Sequence, residues 1–289
     1  MVAALIGTER GLHHLDGHVE MADAAVAHMA GSWVVADGNL HVREAEGWTG
    51  VDLPTTDRIT CVAATVDGAL AGTAGAHLLD VAKGRAAPVT SFEDAPTSEA
   101  WHTPWGGPAD VRSIAVAADS STYVNVHVGG ILRHDLDGWH PTIDLLTDVH
   151  QVVTVNGCIL AALGDGGLAI SADRGESWRR RTDGLHATYC RAVAVAGDTV
   201  MLSASKGPSG QQAALYRAPL DNDAPFERCI DGLPEWFDGN IDTHTLVALG
   251  DEVFAGTRGG TVYHSPNAGH TWEQVADGLP PIRCLEVAE

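Results

Sequence analysis

Lysine is almost missing from this sequence. Only Lys83 and Lys206 are present, and arginine supplies the rest of the 17 basic residues. Against them stand 38 acidic residues, so the chain carries a net charge of −21. Such a charge repels the phosphate backbone, which excludes a general nucleic-acid binder.

The same composition resembles that of cytosolic proteins from extreme halophiles, where carboxylates hold water and cations in concentrated salt and lysine is scarce. Mutual repulsion of the excess carboxylates loosens such a fold in dilute buffer, and salt screens that repulsion. We therefore predict a halophilic protein. An acidic protein from a mesophile is the alternative.

Long apolar runs and paired cysteines are missing as well. No stretch approaches the roughly 20 apolar residues of a membrane-spanning helix, and no basic segment precedes the short apolar run of the N-terminal MVAALIGTERGLHHLDG. The cysteines number five and form no CxxC pair. Cys61 and Cys284 lie inside apolar, strand-like runs, which favours buried thiols over disulfides or zinc ligands. We expect no membrane association and a cytoplasmic location.

What the sequence has in plenty is internal repetition. Residues 150–185 and 244–279 share one order: three apolar runs separated by glycine-containing turns, then a polar turn and a fourth run that carries tryptophan. Four short strands in about 40 residues are typical of a propeller blade. Weaker copies begin at Asp23, Arg58, Arg112 and Arg191.

The two ends supply a further unit. IRCLEVAE at the C-terminus matches a first strand, and VAALIGT and GLHHLDG at the N-terminus match a second and a third strand. Pairing Arg283–Val287 with Ala3–Gly7 closes the ring and removes its free edges.

The sequence thus predicts an all-β, seven-bladed propeller of four-stranded antiparallel blades, as a single domain over residues 1–289. An unrelated β-sandwich is the alternative. The predicted blades are 1–22 joined with 281–289, 23–56, 57–110, 111–147, 148–187, 188–241 and 242–280.

Two turns carry a recognisable motif. SADRGESW (171–178) and SPNAGHTW (265–272) match the Asp-box pattern S-x-D/N-x-G-x-S/T-W, with Asn267 in place of the aspartate in the second. The chain therefore resembles the BNR or Asp-box propeller superfamily, which includes sialidases, seven-bladed xyloglucan hydrolases and Ycf48-type assembly factors of photosystem II. The resemblance implies a structural role for the box, so Asp173 and Trp178 are not candidates for a site.

One position shared by the seven first strands carries mostly basic residues. Aligning the strands brings together Ala25, Arg58, Arg112, His150, Arg191, His244 and Arg283. If these residues surround one channel mouth, their guanidinium groups suit a carboxylate or phosphate ligand, and the histidines make binding pH-dependent. The alternative is a structural ion network with the nearby aspartates, which are Asp23, Asp57, Asp110, Asp148 and Asp242.

Two long loops bring aromatic residues towards the same face. Residues 91–110 contain Trp101, His102 and Trp105, and residues 234–242 contain Trp236 and Phe237. Aromatic side chains on such loops stack on sugar rings or hold a partner. We include the three tryptophans in the predicted ligand site. The alternative is that they cap the core.

The 15 histidines invite a metal hypothesis. No HxxxH motif on a helix is present. His13, His14 and His18 fall on one hairpin, where alternation sends neighbours to opposite faces. We therefore predict no metal and no cofactor.

Two functions remain open. The first is a non-enzymatic binding or assembly propeller, a monomer that takes a small anionic or sugar-like ligand or a protein partner. The second is a glycoside hydrolase of sialidase-like or xyloglucanase-like type, which needs two carboxyl groups across a bound sugar. Asp110, Asp148 and Asp242 are its candidate carboxylates, and Tyr189 resembles a sialidase tyrosine only loosely.

Overall fold

The computed structural model describes residues 3–103 and 106–288, so Trp105 lies outside the described residues. Within these ranges the regular secondary structure is almost entirely β-strand. The helical segments described are α1 (Thr90–Glu93) and one 3₁₀ turn, Ser98–Ala100. Neither is long and apolar enough to cross a membrane.

The strands form seven four-stranded antiparallel sheets. Six of them pair consecutive strands in a simple meander, and the seventh joins the last strand to the first three. The terminal blade, blade 7, contains β1 (Ala3–Thr8), β2 (Gly11–His14), β3 (Val19–Glu20) and the last strand, β28 (Ile282–Ala288). Blade 1 contains β4 (Val26–Ala30), β5 (Trp33–Ala36), β6 (Asn39–Glu44) and β7 (Gly47–Gly50). Blade 2 contains β8 (Ile59–Ala64), β9 (Gly68–Thr73), β10 (Leu78–Ala82) and β11 (Arg85–Pro88).

The remaining four blades follow the same order. Blade 3 contains β12 (Val111–Val116), β13 (Thr122–Val126), β14 (Gly130–Asp135) and β15 (Gly138–Pro141). Blade 4 contains β16 (Val149–Val155), β17 (Cys158–Leu163), β18 (Leu168–Ser171) and β19 (Arg179–Arg181). Blade 5 contains β20 (Val193–Ala196), β21 (Thr199–Ala204), β22 (Ala214–Pro219) and β23 (Glu227–Arg228). Blade 6 contains β24 (Leu246–Leu249), β25 (Glu252–Gly256), β26 (Val262–Ser265) and β27 (Glu273–Ala276).

The seven-bladed propeller predicted from the repeats is therefore confirmed, and so is its closure by the two termini. In blade 7, β1 pairs antiparallel with β28, and Ala4 lies opposite Val287. Further along the ladder Gly7 lies opposite Cys284. In an open array of blades, one edge of β1 and one edge of β28 would be unpaired. This pairing covers both edges.

The chain divides into two compact units. Unit 1 comprises Met1–Val26, Ala161–Ile170 and Arg179–Glu289, and unit 2 comprises Ala27–Leu160 and Ser171–Trp178. In each unit the apolar faces of neighbouring blades pack on each other. The unit 2 core includes Val35, Leu79, Phe92, Val124 and Trp139, and the unit 1 core includes Ile6, Met201, Leu215, Phe254 and Trp272. The single domain over 1–289 stays a prediction.

The two motif-bearing turns are tight hairpins held by side chains. Asp173 accepts a hydrogen bond from the Ser177 amide (2.9 Å) and one from its hydroxyl (2.6 Å), and Asn267 accepts one from the Thr271 amide (2.9 Å). These bonds, chiefly the Ser177 hydroxyl, lower the pKa of Asp173 to about 2. Gly175 takes a φ of +90°, which favours glycine. These contacts stabilise the turns themselves.

Candidate binding site

In unit 2, two of the predicted basic positions meet at one carboxylate. Arg112 is the extra residue of a β-bulge in β12, where the register shifts between Val111 and Ser113, and bulges re-aim side chains. Its Nη1 lies 3.9 Å from Oδ1 of Asp148, which stands directly before β16. The His150 Nε2 lies 3.3 Å from the other oxygen of the same carboxylate.

His127 completes this cluster. It is 6% exposed, and its Nε2 lies 3.3 Å from Asp148 Oδ1. Burial by itself would raise the pKa of the Asp148 carboxyl. The hydrogen bonds and positive charge of His127 and His150 outweigh that effect and hold the pKa well below its usual range. Asp148 is therefore a firmly ionised member of a compact ionic cluster.

In unit 1, the predicted arginines also face carboxylates. Arg191 Nη1 donates to Asp242, and its Nε donates to the Tyr189 hydroxyl at 3.3 Å. Burial opposes the charge of Arg191, but Asp242 and Tyr189 together raise the pKa of its guanidinium. Arg283 Nη2 lies 2.5 Å from Glu9 Oε1. At Arg112 and Arg191, the partner is the aspartate that precedes the first strand of the next blade, as the structural alternative requires.

The other aligned positions differ from these. Arg58 is exposed, and its aliphatic stem lies against Gly38. His244 is half-buried, with a φ of +67°, and its carbonyl accepts the Leu285 amide at 2.8 Å. Arg58, Arg112 and His150 belong to unit 2, while Arg191, His244 and Arg283 belong to unit 1. A single funnel that joins all six stays a prediction.

A groove of about 890 Å³ opens beside Arg191 in unit 1, within the roughly 300–1,000 Å³ of ordinary ligand sites. We call it the Trp236 groove. Its walls come from the loop before β24, the β21–β22 and β25–β26 loops, the β27–β28 connection and the β1–β2 turn. Its charged residues are Glu9, Asp238, Asp242, Asp277, Arg191 and Arg258, and its aromatic residues are Trp236, Phe237 and Tyr263.

The aromatic wall is anchored from behind. The Arg228 guanidinium lies 3.8 Å from the centre of the Trp236 ring, and the His186 ring centre lies 4.9 Å from it. Phe237 is buried and meets Tyr263 edge-on at 5.6 Å. The contacts with Arg228 and His186 hold the Trp236 side chain at the groove, so it has little freedom left to lose on binding.

The other long loop behaves differently. The Trp101 ring packs on Phe92 at 4.9 Å, and its Nε1 donates to the Thr97 hydroxyl at 3.3 Å. Phe92 is fully buried and also contacts Trp139. Trp101 thus covers the core between blades 2 and 3, as the capping alternative expected. His102 is exposed, and its Nδ1 lies 2.9 Å from the Ala100 carbonyl.

Several groove residues escaped the sequence analysis. Glu9, Arg258, Tyr263 and Asp277 line the groove but belong to no shared register position. One signal could have found Glu9 and Arg258: both follow the second strand of their blade, and loops at that place reach the same face as the loops before first strands. His127 was likewise missed as a partner of Asp148.

Comparison with protein-family models and with curated protein sequences finds no match for this chain. Many solved structures are similar in fold. U3-55K matches with a TM-score of 0.63 at 14% identity, over 90% of this chain and 83% of that one. BamB from Moraxella catarrhalis matches with 0.58 at 14% identity, over 96% and 88%. YCF48 from Cyanidioschyzon merolae matches with 0.57 at 12% identity, over 87% and 84%. At these identities the likeness shows the propeller fold alone.

Proposed function

We propose that this chain is a non-enzymatic binding propeller whose Trp236 groove receives a protein segment with basic and apolar side chains. The observation that carries the proposal is the make-up of the groove, in which four carboxylates face two guanidiniums beside an anchored aromatic wall. Trp and Tyr contribute large contact areas at low entropic cost, as they do in many protein interfaces. Scaffold propellers of the Ycf48 type, which the Asp-box resemblance suggested, belong to the same class.

Charge compensation favours a basic segment over an anion. Arg191 is paired with Asp242, and Arg283 is paired with Glu9. An anion that binds these guanidiniums must compete with the carboxylates that already pair with them. A lysine or arginine of a partner can instead bind Asp238 and Asp277, which are exposed. The anionic ligand at Arg58, Arg112, His150, Arg191, His244 and Arg283 stays a prediction of the sequence analysis.

The glycoside hydrolase alternative has less support. Its general acid is a carboxyl group whose pKa is raised so that it keeps its proton. The pKa of Asp148 is lowered, and Asp242 forms an ion pair with Arg191. Asp148 is thus held in its ionised state, and Asp242 is engaged by the Arg191 guanidinium.

The proposed location is the cytoplasm. None of the five cysteines forms a disulfide. Burial raises the pKa of Cys61 and of Cys229 to about 12, so these thiols are protonated and unreactive at neutral pH. Inert, buried thiols of this kind suit a reducing compartment.

The groove is tested with two fluorescein-labelled peptides, one alternating lysine with leucine and the other alternating glutamate with leucine. Binding is followed by fluorescence anisotropy. We expect the lysine peptide to bind and the glutamate peptide to fail. Replacing two exposed groove carboxylates (Asp238→Asn with Asp277→Asn) weakens the binding about three- to tenfold, since each rim charge contributes roughly 0.3–0.7 kcal/mol.

A matched control separates the groove from the overall charge of −21. Asp67→Asn with Asp80→Asn removes the same charge at exposed positions outside the groove and leaves the affinity unchanged. Equal weakening by both pairs means that the peptide binds the acidic surface in general, which contradicts the proposal. Binding of the glutamate peptide, abolished by Arg191→Met, would replace it by the anionic-ligand function.

A further inference from the structure

The β2–β3 hairpin of blade 7 brings two imidazoles and one carboxylate to the same face. Leu12 pairs with Glu20, and His13 pairs with Val19. The His14 amide donates to the His18 carbonyl at 2.9 Å, so these two histidines stand opposite each other beside the turn. Because side chains alternate along a strand, His14, His18 and Glu20 share one face.

This arrangement corrects an argument made from the sequence. Alternation does separate His13 from His14, which counted against a metal at this hairpin. Only His14 is needed on the face, however, because His18 comes from across the turn and Glu20 follows it by two residues. The carboxylate supplies the third ligand that the histidines alone lacked.

The ligand atoms are already close to a coordination geometry. His14 Nε2 lies 2.9 Å from Glu20 Oε1, and His18 Nε2 lies 4.0 Å from the same oxygen. All three atoms fall within 4.8 Å of one another. Ligands bonded to one tetrahedral zinc ion at about 2.0–2.1 Å lie about 3.4 Å apart, so small side-chain rotations suffice.

Two other histidine–carboxylate clusters have a geometry that suits ion pairs but not a shared metal ion. His77 directs Nδ1 at Glu93 and Nε2 at Asp57, and His264 likewise directs its two nitrogens at two different glutamates. The carboxylates then sit on opposite sides of a single ring and cannot share one ion. Within residues 3–103 and 106–288, the β2–β3 hairpin is the one place where three such ligand atoms all lie within 4.8 Å of one another.

The exposure of the three side chains fits an open site. Glu20 is 13% exposed, His14 27% and His18 62%, so the carboxylate lies at the base and His18 at the rim. The turn between them is held by Asp16, whose Oδ1 accepts the His18 amide at 2.9 Å. A ligand set fixed on a short hairpin loses little freedom on binding, and its outer side stays open to solvent.

We propose that His14, His18 and Glu20 bind one divalent transition-metal ion of the zinc class, with solvent at the remaining coordination position. Imidazole ligands suit Zn²⁺, Co²⁺, Ni²⁺ and Cu²⁺, whereas Ca²⁺ and Mg²⁺ take oxygen ligands. The ion ties the two-residue outer strand β3 to β2. This inference does not depend on the Trp236 groove.

The test is titration of untagged, metal-stripped protein with Co²⁺ and then Zn²⁺, followed by visible absorption and by calorimetry. We expect one Co²⁺ per chain with the absorption bands of a nitrogen- and oxygen-bound ion, and displacement by Zn²⁺. Loss of a second-shell contact already lowers metal affinity roughly 10–100-fold. Loss of a direct ligand in His18→Ala or Glu20→Gln therefore weakens binding at least about tenfold.

The matched control is His77→Gln, which removes a histidine from a carboxylate cluster that cannot converge and leaves Co²⁺ binding unchanged. His18 is mostly exposed, so metal-free His18→Ala melts as the parent does, and Zn²⁺ raises the melting temperature of the parent only. Parent-like Co²⁺ affinity in His18→Ala and Glu20→Gln, or loss of binding in His77→Gln, overturns the assignment. So does the absence of any one-to-one binding to the parent.

Discussion

At the scale of single residues, Asp148 is a partly buried carboxylate that is compensated by neighbouring basic side chains. The carboxylate is about one-third exposed and lies among His127, His150 and Arg112, of which His150 is 2% exposed. Removing one member of such a cluster leaves the others facing a neutral group in a partly desolvated place. Replacing Asp148 is therefore expected to affect His127, His150 and Arg112 together.

We expect Asp148→Asn to lower the free energy of unfolding at pH 7 by about 1–2 kcal/mol, a value discounted for partial exposure. The pH dependence has a definite sign. Because folding lowers the pKa of Asp148 below 3.8, its contribution is complete above pH 3.8 and disappears as the pH falls through the folded-state pKa. Urea denaturation between pH 7 and pH 2 should show the parent and variant curves converging below pH 3.8.

The companion substitution is Asp137→Asn, at an exposed turn in the same unit. It should change the unfolding free energy by less than about 0.5 kcal/mol at every pH. Parallel curves for the parent and Asp148→Asn across the acid range would show that the cluster does not hold the charge of Asp148.

At the scale of strands, glycine in the second strand of a blade lets the next blade approach. A Cβ on Gly72, in β9, would lie 2.4 Å from Cγ1 of Val111 in blade 3 and 2.9 Å from Cys61 Sγ. Gly7, in β1, would meet Cys284 and Val26 in the same way, at 2.4 Å and 2.8 Å. Both contacts involve fully buried partners that cannot move aside.

Gly72→Ala is therefore expected to destabilise the protein by about 1–3 kcal/mol, the usual cost of overfilling a packed core. Gly50→Ala is the control: it lies in β7 with ordinary backbone angles, and the nearest atom to its added Cβ is 3.8 Å away. Thermal or urea unfolding compares the two. If Gly72→Ala is as stable as Gly50→Ala, the blades can accommodate a Cβ at the contact between Gly72 and Val111, and the prediction is wrong.

The strands were predictable because their signals are local. Turn glycines, short apolar runs and recurring tryptophans repeat along the chain, and both halves of blade 7 carry a recognisable strand pattern. The site was less predictable because its partners come from separate loops. The repeat pattern does not predict the contact between Glu9 and Arg283, which are 274 residues apart, or the contact between His127 and Asp148. The alignment of the strands predicts the position of a residue in its blade. Its side-chain contacts depend on how loops that are distant in sequence pack together.

At the scale of the whole molecule, the charge of −21 is the dominant feature. We predict that the melting temperature rises as KCl increases from 0.1 M to molar concentrations, because the Debye length falls from about 10 Å to about 3 Å. Differential scanning calorimetry measures the change. MgCl₂ at equal ionic strength should act alike if screening is the cause, and a melting temperature indifferent to KCl contradicts the halophile interpretation.

The pairing of β1 with β28 also has a consequence for biosynthesis. The contact between Glu9 and Arg283 spans 274 residues, so at about 5–20 residues per second the ribosome needs roughly 15–55 s to deliver the partner of β1. Throughout that interval one edge of β1 lacks its partner while the intervening blades emerge. An unpaired edge is a template for intermolecular association. The nascent chain thus passes through a period of vulnerability that ends only when the last strand leaves the exit tunnel.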